Sequence, residues 1–253
     1  DQGQELHRVQ LFFAAMLADG VQRRLQEVGV VDAGDLDGIL KGEEKAGGRA
    51  ELMQFDVKDR AAVTHALETK LGAETPIAVL VNNAGIAKDG PFPSMKFEDW
   101  EEVTRTTLDG FFNVTRVLMM PMVRQKWGRI VNVGGLTARD TRALSGMRNT
   151  ALVHFSKTLS DQLGPQGVTV NILHPGITRT EHVESWFAER ARAAGVSFEA
   201  FVKQQAADPA AIRRMVEVEE VADCILFLAS QRASGVTGES IAVDGGLSRA
   251  VYL

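Results

Sequence analysis

The sequence predicts a single doubly wound α/β domain over residues 1–253, with a parallel sheet and helices on both faces. Short runs rich in β-branched residues alternate with longer amphipathic stretches, which is the pattern of βαβ units around a parallel sheet. The chain has 253 residues, of which 45% are hydrophobic and 24% charged, and this composition fits one domain with one large core.

Five strands are predicted from apolar runs that close on Gly, Asn or Asp. Each run is short and apolar on both faces, as expected of strands buried in a parallel sheet. They are "AELMQFDV" (50–57), "PIAVLVNNAG" (76–85), "GRIVNVGG" (128–135), "VTVNILHPG" (168–176) and "ESIAVDGG" (239–246). Ligands of open parallel sheets bind beyond the carboxyl ends of the strands, so the residues that close these runs are the first site candidates.

Four helices are predicted where apolar residues recur at three- and four-residue spacing, over residues 60–72, 97–125, 149–164 and 217–230. Gly164 before Pro165 ends the third helix, and Glu219 and Glu220 place acids in the first turn of the fourth. The helices of 97–125 and 149–164 carry apolar residues over more of their circumference than one sheet can cover. This surplus predicts a homodimer or homotetramer, unless both faces are buried within one subunit.

Composition excludes several classes of function. A net charge of -5 and a pI near 5.6 argue against nucleic acid as a partner. Cys224 is the single cysteine, so a reduced, cytoplasmic protein with a buried thiol is expected. No apolar run approaches the roughly 18 residues that span a bilayer, and "DQGQELHRVQ" does not resemble a signal peptide, so we expect a soluble protein without a membrane partner. Because the chain begins at Asp1, whether residues precede it stays open.

No metal site is predicted, because His65, His174 and His182 are scattered and none pairs with another at metal-ligand spacing alongside acids.

An ordered set of motifs resembles one enzyme family over roughly residues 28–248. The motifs are "LVNNAG" (80–85), "GRIVNV" (128–133), Lys157, "VTVNILHPGITRTE" (168–181) and "VTGESIAVDGGL" (236–247). Together they resemble the short-chain dehydrogenase/reductase family, and most of all its 3-oxoacyl-carrier-protein reductase branch. The resemblance implies a Rossmann-type fold and NAD(P)-dependent reduction of a ketone or oxidation of a secondary alcohol.

The same resemblance implies which residues hold NAD or NADP. Asp56 and Val57 would face the adenine, Asn83, Ala84 and Gly85 would pass beneath the adenosine ribose, and Pro175, Gly176 and Thr178 would flank the nicotinamide. Small side chains at 84 and 85 let the backbone approach a ligand closely. The alternative is that the asparagines of "NNAG" only satisfy backbone groups at a turn.

The family's catalytic machinery is incomplete in this chain. Members use a Tyr as proton donor, a Lys four residues later, a Ser at the preceding strand end, and an Asn on the long helix that anchors a proton-relay water. By resemblance Lys157 is the Lys, while Val153, Gly135 and Thr107 occupy the other three positions. An isopropyl group cannot donate a proton. His154, one turn before Lys157, could donate it instead, or it packs against a neighbouring helix or subunit.

The nucleotide-binding start also departs from the family. A Thr-Gly-x-x-x-Gly-x-Gly segment normally approaches the pyrophosphate, whereas "FAAMLADG" stands here and only Gly20 matches. Asp19 adds a negative charge beside the phosphates, so weak cofactor binding is predicted. Asp32 would accept hydrogen bonds from the adenosine ribose and favour NAD over NADP.

Residues 177–214 match the substrate lid of the family and contain Trp186, Phe187, Phe198 and Phe201. These aromatics suit a small-molecule substrate that is apolar or acyl, or they pack on the core. Two functions stay open: an active oxidoreductase with a non-standard acid, and a catalytically inactive relative that binds a ligand or a partner subunit.

Overall fold

The computed structural model describes residues 55–71, 77–86, 88, 90–139 and 143–249. Gly20, Asp32 and the segment "FAAMLADG" lie outside the described residues. The strand predicted over 50–57 lies outside them as far as residue 54, and residues 55–57 lead into a turn in which the Asp59 amide donates to the Asp56 carbonyl.

Four parallel strands form the sheet of the described chain. They are β1 (Val79–Asn82), β2 (Gly128–Val133), β3 (Val168–Pro175) and β4 (Ser240–Val243), and they lie side by side in this order. Each coincides with a predicted strand but is shorter, because the Asn and Gly residues that close each run belong to the following loop. Asn82 pairs with Asn132, and Pro175 pairs with Val243, so the carboxyl ends of all four strands lie along one edge.

Helices cover both faces of this sheet, which confirms the predicted fold class. The α-helices of the described residues are α1 (Arg60–Leu71), α2 (Phe97–Thr104), α3 (Gly110–Gln125), α4 (Ser145–Leu163), α5 (Glu181–Ala194), α6 (Phe198–Val202) and α7 (Val218–Ala229). Leu80 and Ile130 face α3 and α4 in the main core, whereas Val131 on the opposite face packs against Leu228 of α7. This alternation along each strand makes every strand apolar on both sides.

The predicted helix 97–125 is continuous but contains a π-turn at Arg105–Asp109, between α2 and α3. Gly110 follows this turn and lies against Val57, where an added Cβ would stand 2.6 Å from Val57 Cγ2. The π-turn buries Thr107, which is 6% exposed. Single π-turns inside helices recur at functional sites, and this one faces the carboxyl edge of the sheet.

Helix α4 begins at Ser145, four residues before the predicted start at 149. The first turn contains Ser145, Gly146, Arg148 and Asn149, so the apolar periodicity that reveals helices begins only later in the segment. The earlier start places three polar side chains in the turn nearest the end of β2.

Residues 177–216 form an excursion from the sheet between β3 and α7, and the two ends of this excursion are hydrogen-bonded to each other. Thr178 and Val216 form a parallel bridge, and the Arg179 amide donates to the Val216 carbonyl. The Arg179 guanidinium also contacts Glu184 on α5 at 2.9 Å and Glu217 before α7 at 3.2 Å. The excursion is therefore anchored where it leaves and rejoins the sheet.

No helix in the described ranges is both long and apolar enough to span a bilayer.

A buried chain of hydrogen bonds joins the strand ends to two helices. The Asn82 amide donates to Thr115 Oγ1 and to Asn132 Oδ1, both at 3.0 Å. The Asn132 amide donates to Ser156 Oγ at 2.9 Å, and that hydroxyl donates to the Leu152 carbonyl at 2.7 Å. These buried hydrogen bonds thus fix α3, β1, β2 and α4 to one another.

We expect Asn132→Ala to lower the free energy of unfolding by about 2–3 kcal/mol, because it leaves the Asn82 and Ser156 groups buried without this partner. Urea denaturation measures the loss. Asn83→Ala is the matched control, since Asn83 is exposed and its truncation should stay within about 0.5 kcal/mol. Equal losses in the two variants would contradict a special role for the buried chain.

Candidate active site

The loop after β1 brings the "NNAG" residues to the carboxyl edge of the sheet. Asn83 is exposed, and Ala84 packs against the main core. Among the described residues, no atom lies within 4 Å of the position that a Cβ on Gly85 would take. The loop can therefore approach a ligand closely without loss of packing.

Asp56 and Val57 lie in the turn just before α1. The Asp56 carboxylate accepts from the Lys58 amide at 2.9 Å, and its other oxygen lies 3.6 Å from Lys58 Nζ. The Asn113 amide of α3 donates to the Val57 carbonyl at 3.0 Å, which fixes the turn. With its side chain 41% exposed, Asp56 still presents a carboxylate to solvent.

A cluster of small polar side chains follows β2. Thr137 Oγ1 lies 3.1 Å from Ser145 Oγ and accepts from the Asn149 amide at 2.7 Å. A Cβ added to Gly135 would stand 2.9 Å from Asn149 Nδ2, so the end of β2 touches the same cluster. Because Ser145 and Asn149 are four residues apart, they share one face of α4.

Arg148 closes the other side of this cluster. Its guanidinium Nη1 donates to the Ile86 carbonyl after β1 and to Thr107 Oγ1 in the π-turn, the second at 3.1 Å. Through Arg148, Thr107 is therefore joined to the loop that follows β1. Sequence reasoning missed Arg148, although a charged residue among the small residues of "SGMRN" was a signal that could have found it.

The structure does not bring Lys157 to the carboxyl edge of the sheet, where the sequence predicted that it would bind the cofactor. It is exposed, and its Nζ lies 2.8 Å from the position a Cβ on Gly238 would take. Gly238 donates to the carbonyl of Val170, five residues before Pro175 at the carboxyl end of β3. At 3.3 Å per residue this separation is about 16 Å along the strand.

Val153 and His154, which precede Lys157 on α4, have different surroundings. Val153 is half-buried and packs with Phe111, Leu152 and Ile172. His154 is exposed, and its Nδ1 lies 3.5 Å from Thr158 Oγ1. The predicted substitute proton donor therefore points away from the site, because position 154 faces outward from the sheet.

The residues after β3 hold the third side of the site. Gly176 packs so tightly that an added Cβ would stand 2.6 Å from Asp244 Cα, while Pro175 pairs with β4. Thr178 Oγ1 donates to the Gly176 carbonyl at 3.2 Å. The small residue at 176 is thus required by packing against the segment after β4, whether or not a ligand is bound.

His174 is a second residue that sequence reasoning left unused. It is fully buried near the end of β3, with Nδ1 3.0 Å from the Gly135 carbonyl and Nε2 3.0 Å from Ser240 Oγ. The ring therefore joins the ends of β2, β3 and the start of β4. A polar residue closing the apolar run "VTVNILHPG" was the available signal.

The lid aromatics mainly form a core of their own. Phe187 and Phe201 are 2% and 8% exposed, with ring centroids 5.3 Å apart in an edge-to-face contact. Phe198 packs against the same cluster, whereas Trp186 is 46% exposed under the guanidinium of Arg190. Of the two alternatives for these residues, the structure favours packing.

Within the described ranges, no group of three or more His, Cys, Asp or Glu side chains could hold a metal ion. Cys224 is half-buried among apolar side chains, and this burial raises the pKa of its thiol.

Known proteins resemble this chain along most of its length. The family model described as Enoyl-(Acyl carrier protein) reductase matches residues 13–248. The 3-oxoacyl-(acyl-carrier-protein) reductase of Aquifex aeolicus is 35% identical over 206 residues, which are 80% of this chain and 78% of that protein. The corresponding reductase of Thermotoga maritima is 34% identical over 230 residues, 88% of this chain and 89% of that protein.

Solved structures agree with these relatives. YwfH, an NADPH-dependent reductase involved in bacilysin biosynthesis, superposes with a TM-score of 0.75 at 26% identity, covering 85% of this chain and 86% of that one. A variant of actinorhodin polyketide ketoreductase with NADPH gives a TM-score of 0.77 at 28% identity, covering 85% and 84%. The chain therefore belongs to the short-chain dehydrogenase/reductase family, near its 3-oxoacyl-(acyl-carrier-protein) reductase branch.

Proposed function

We propose that this protein is an NAD(P)-dependent oxidoreductase that reduces a ketone, or oxidises the corresponding secondary alcohol, on a small apolar or acyl substrate. The observation that carries the proposal is the cluster of Thr137, Ser145 and Asn149 beside Gly135 at the carboxyl edge of the sheet. The reductases that resemble the chain support the same reaction class.

We infer that the family's Tyr and Lys positions correspond to Ser145 and Asn149 rather than to Val153 and Lys157. Ser145 and Asn149 preserve the four-residue spacing, contact the end of β2, and lie in the first turn of α4. The same spacing at 153 and 157 ends in solvent two turns further along the helix. With Gly135 and Thr107, all four positions of the machinery then hold substitutes.

The residues present fit a dinucleotide where the strands end, because no described atom lies within 4 Å of a Cβ on Gly85 and Asp56 presents an acceptor. The residues that would hold the cofactor are Asp56, Val57, Asn83, Ala84, Gly85, Pro175, Gly176 and Thr178. When bound, the nicotinamide supplies or accepts the hydride of the reaction. Gly20 and Asp32 lie outside the described residues, so their contribution, the choice of NAD or NADP and weak binding stay predictions.

Ser145 and Asn149 can stabilise the reacting oxygen by hydrogen bonds. A hydroxyl and an amide N–H on one helix face can both be directed at a carbonyl oxygen, and one such donor typically contributes a factor of about 10²–10³ to the rate. The Tyr donor of the family has an ordinary pKa near 10, whereas a serine hydroxyl is a much weaker acid. We therefore expect slow turnover, with the proton taken from water.

A catalytically inactive relative that binds a ligand is the second candidate. The specific observation in its favour is that neither Ser145 nor Asn149 titrates near neutral pH, so the cluster lacks a matched acid. The two candidates differ in whether the bound cofactor is consumed.

The proposal predicts that the wild-type chain binds NADPH or NADH and slowly oxidises the bound cofactor with a β-keto ester. Fluorescence titration measures the binding, and loss of cofactor absorbance measures the turnover. Binding without turnover would favour the inactive relative. If neither cofactor bound at millimolar concentration, the oxidoreductase proposal would fail.

We expect Ser145→Tyr with Asn149→Lys and Gly135→Ser to raise the reduction rate by about 10²–10⁴, because the variant restores a general acid and the cation beside it. The clash at Gly135 involves the flexible end of Asn149, which the second substitution replaces. The rate is measured at saturating β-keto ester.

Val153→Tyr with Gly135→Ser is the matched control, and it should not raise the rate because Val153 packs against Leu152 and Phe111. Lys157→Gln should change neither cofactor affinity nor turnover. A rise confined to the Val153 variant would reverse the assignment of positions.

We further propose that α3 and α4 pair with a second copy of this chain. Of the apolar residues on the two helices, Phe111, Leu118, Leu152 and Leu159 are buried within the subunit, which reduces the surface available. Phe112 is 54% exposed and lies 6.4 Å, between ring centroids, from half-buried Phe155. These two rings are the centre of the proposed contact.

Phe112→Glu should dissociate the assembly, because it places a charge without a partner in the apolar contact. Light scattering at micromolar concentration measures the mass, with 27.5 kDa expected for the variant and a multiple of it for the wild type. Phe92→Glu is the control, since Phe92 is 79% exposed outside both helices. A monomeric wild type would contradict the pairing.

A further inference from the structure

Arg148 joins three segments that surround the candidate active site. Its Nη1 donates to the Ile86 carbonyl after β1 and to Thr107 Oγ1 in the π-turn, across 62 and 41 residues of sequence. The residue itself lies in the first turn of α4. Two anchors on separate elements hold the planar guanidinium in one place, which a flexible surface arginine would not show.

Arg148 follows Ser145 by three residues on α4, so its charge lies near the Ser145 side chain. Residues three apart on a helix are neighbours, with Cβ atoms about 5–6 Å apart. A guanidinium stays protonated at every pH at which the protein is folded. By the proposed assignment position 149 holds a neutral Asn where the family has a Lys, so Arg148 is the cation on this face of the first turn.

Among the residues that the structure describes, further charges near this face lie on α2 and the loop before it. Lys88 lines the same cleft as Thr104, Leu144, Ser145 and Arg148. Its ammonium contacts Glu102 at 2.6 Å and Asp99 at 3.0 Å, and these hydrogen bonds raise the pKa of Lys88. Two carboxylates around one ammonium leave this group with no surplus positive charge, so Lys88 does not replace Arg148 as the source of positive potential.

We propose that Arg148 supplies the fixed positive charge of the active site and stabilises negative charge on an oxygen held at Ser145. A charge fixed beforehand needs no reorganisation during the reaction, and for this reason preorganised donors and cations contribute strongly to catalysis. The identity of the oxygen, an alkoxide derived from the substrate ketone, rests on the proposed function. The charge at Ser145 does not, and it can be measured without turnover.

A thiol at position 145 reports this potential directly. The experiment compares Ser145→Cys with Ser145→Cys/Arg148→Gln, both in a Cys224→Ala background that removes the native thiol. A nearby cation stabilises the thiolate and lowers the pKa of the thiol. We expect a pKa lower by about two units with Arg148 present, the shift that corresponds to unit charges about 6 Å apart at an effective dielectric constant near 20. Ultraviolet absorbance of the thiolate against pH gives both values.

Matched variants separate charge from packing. Arg148→Lys keeps a cation and should retain part of the shift, whereas Lys157→Gln, about three turns further along α4, should leave the thiol pKa nearly unchanged. In Ser145→Cys alone, added salt should raise the thiol pKa by screening the guanidinium, which tests the proposal even if Arg148→Gln does not fold. Equal thiol pKa values with and without Arg148, or a salt-independent value, would overturn it.

An activity readout distinguishes this inference from the proposed function. In wild type with measurable turnover, Arg148→Gln should lower kcat about tenfold or more and change KM little, because the charge acts on the transition state. If the thiol pKa shifted in a protein without turnover, the inference about Arg148 would stand and the proposed oxidoreductase reaction would fail. An unshifted pKa in an active enzyme would do the opposite.

Discussion

The hydrogen bond between the side chains of Asn82 and Asn132 is the constraint on which the rest of the site depends. These residues pair across β1 and β2 at the positions where both strands end, and their amides reach Thr115 on α3 and Ser156 on α4. All four side chains are buried, so water cannot replace the bonds without opening the core. Each element that carries a site residue is thereby held at a defined height relative to the strand ends.

Above this buried chain, the site is built from small side chains. Gly135 and Gly176 are closely packed against Asn149 and Asp244, whereas no described atom lies within 4 Å of a Cβ on Gly85. The hydroxyls of Thr137 and Ser145 lie within 3.1 Å of each other. His174 fixes the Gly135 carbonyl from beneath. The strand ends therefore carry small side chains, and by the proposed assignment Ser145 and Asn149 stand where the family has its Tyr and Lys.

The change in chemistry is accompanied by a change in charge. By the proposed assignment, Asn149 stands where the family has a lysine, and Arg148 places a guanidinium on the adjacent position of the same turn. This guanidinium is held by Ile86, in the loop after β1, and by Thr107, in the π-turn. A substitution at any one of the three segments would shift the position of the charge, so they are expected to act as a unit.

The sequence by itself determined the parallel sheet, the helices on both faces and the family, because alternating apolar runs and ordered motifs survive small errors in their boundaries. It did not determine which turn of α4 faces the strand ends. The family's Tyr–Lys spacing, counted back from Lys157, predicted positions 153 and 157, whereas the pair inferred from the structure, Ser145 and Asn149, matches neither residue type. Only the tertiary structure decided between them, since the height of a helix on a sheet depends on contacts such as Asn132 with Ser156, which join residues far apart in the chain.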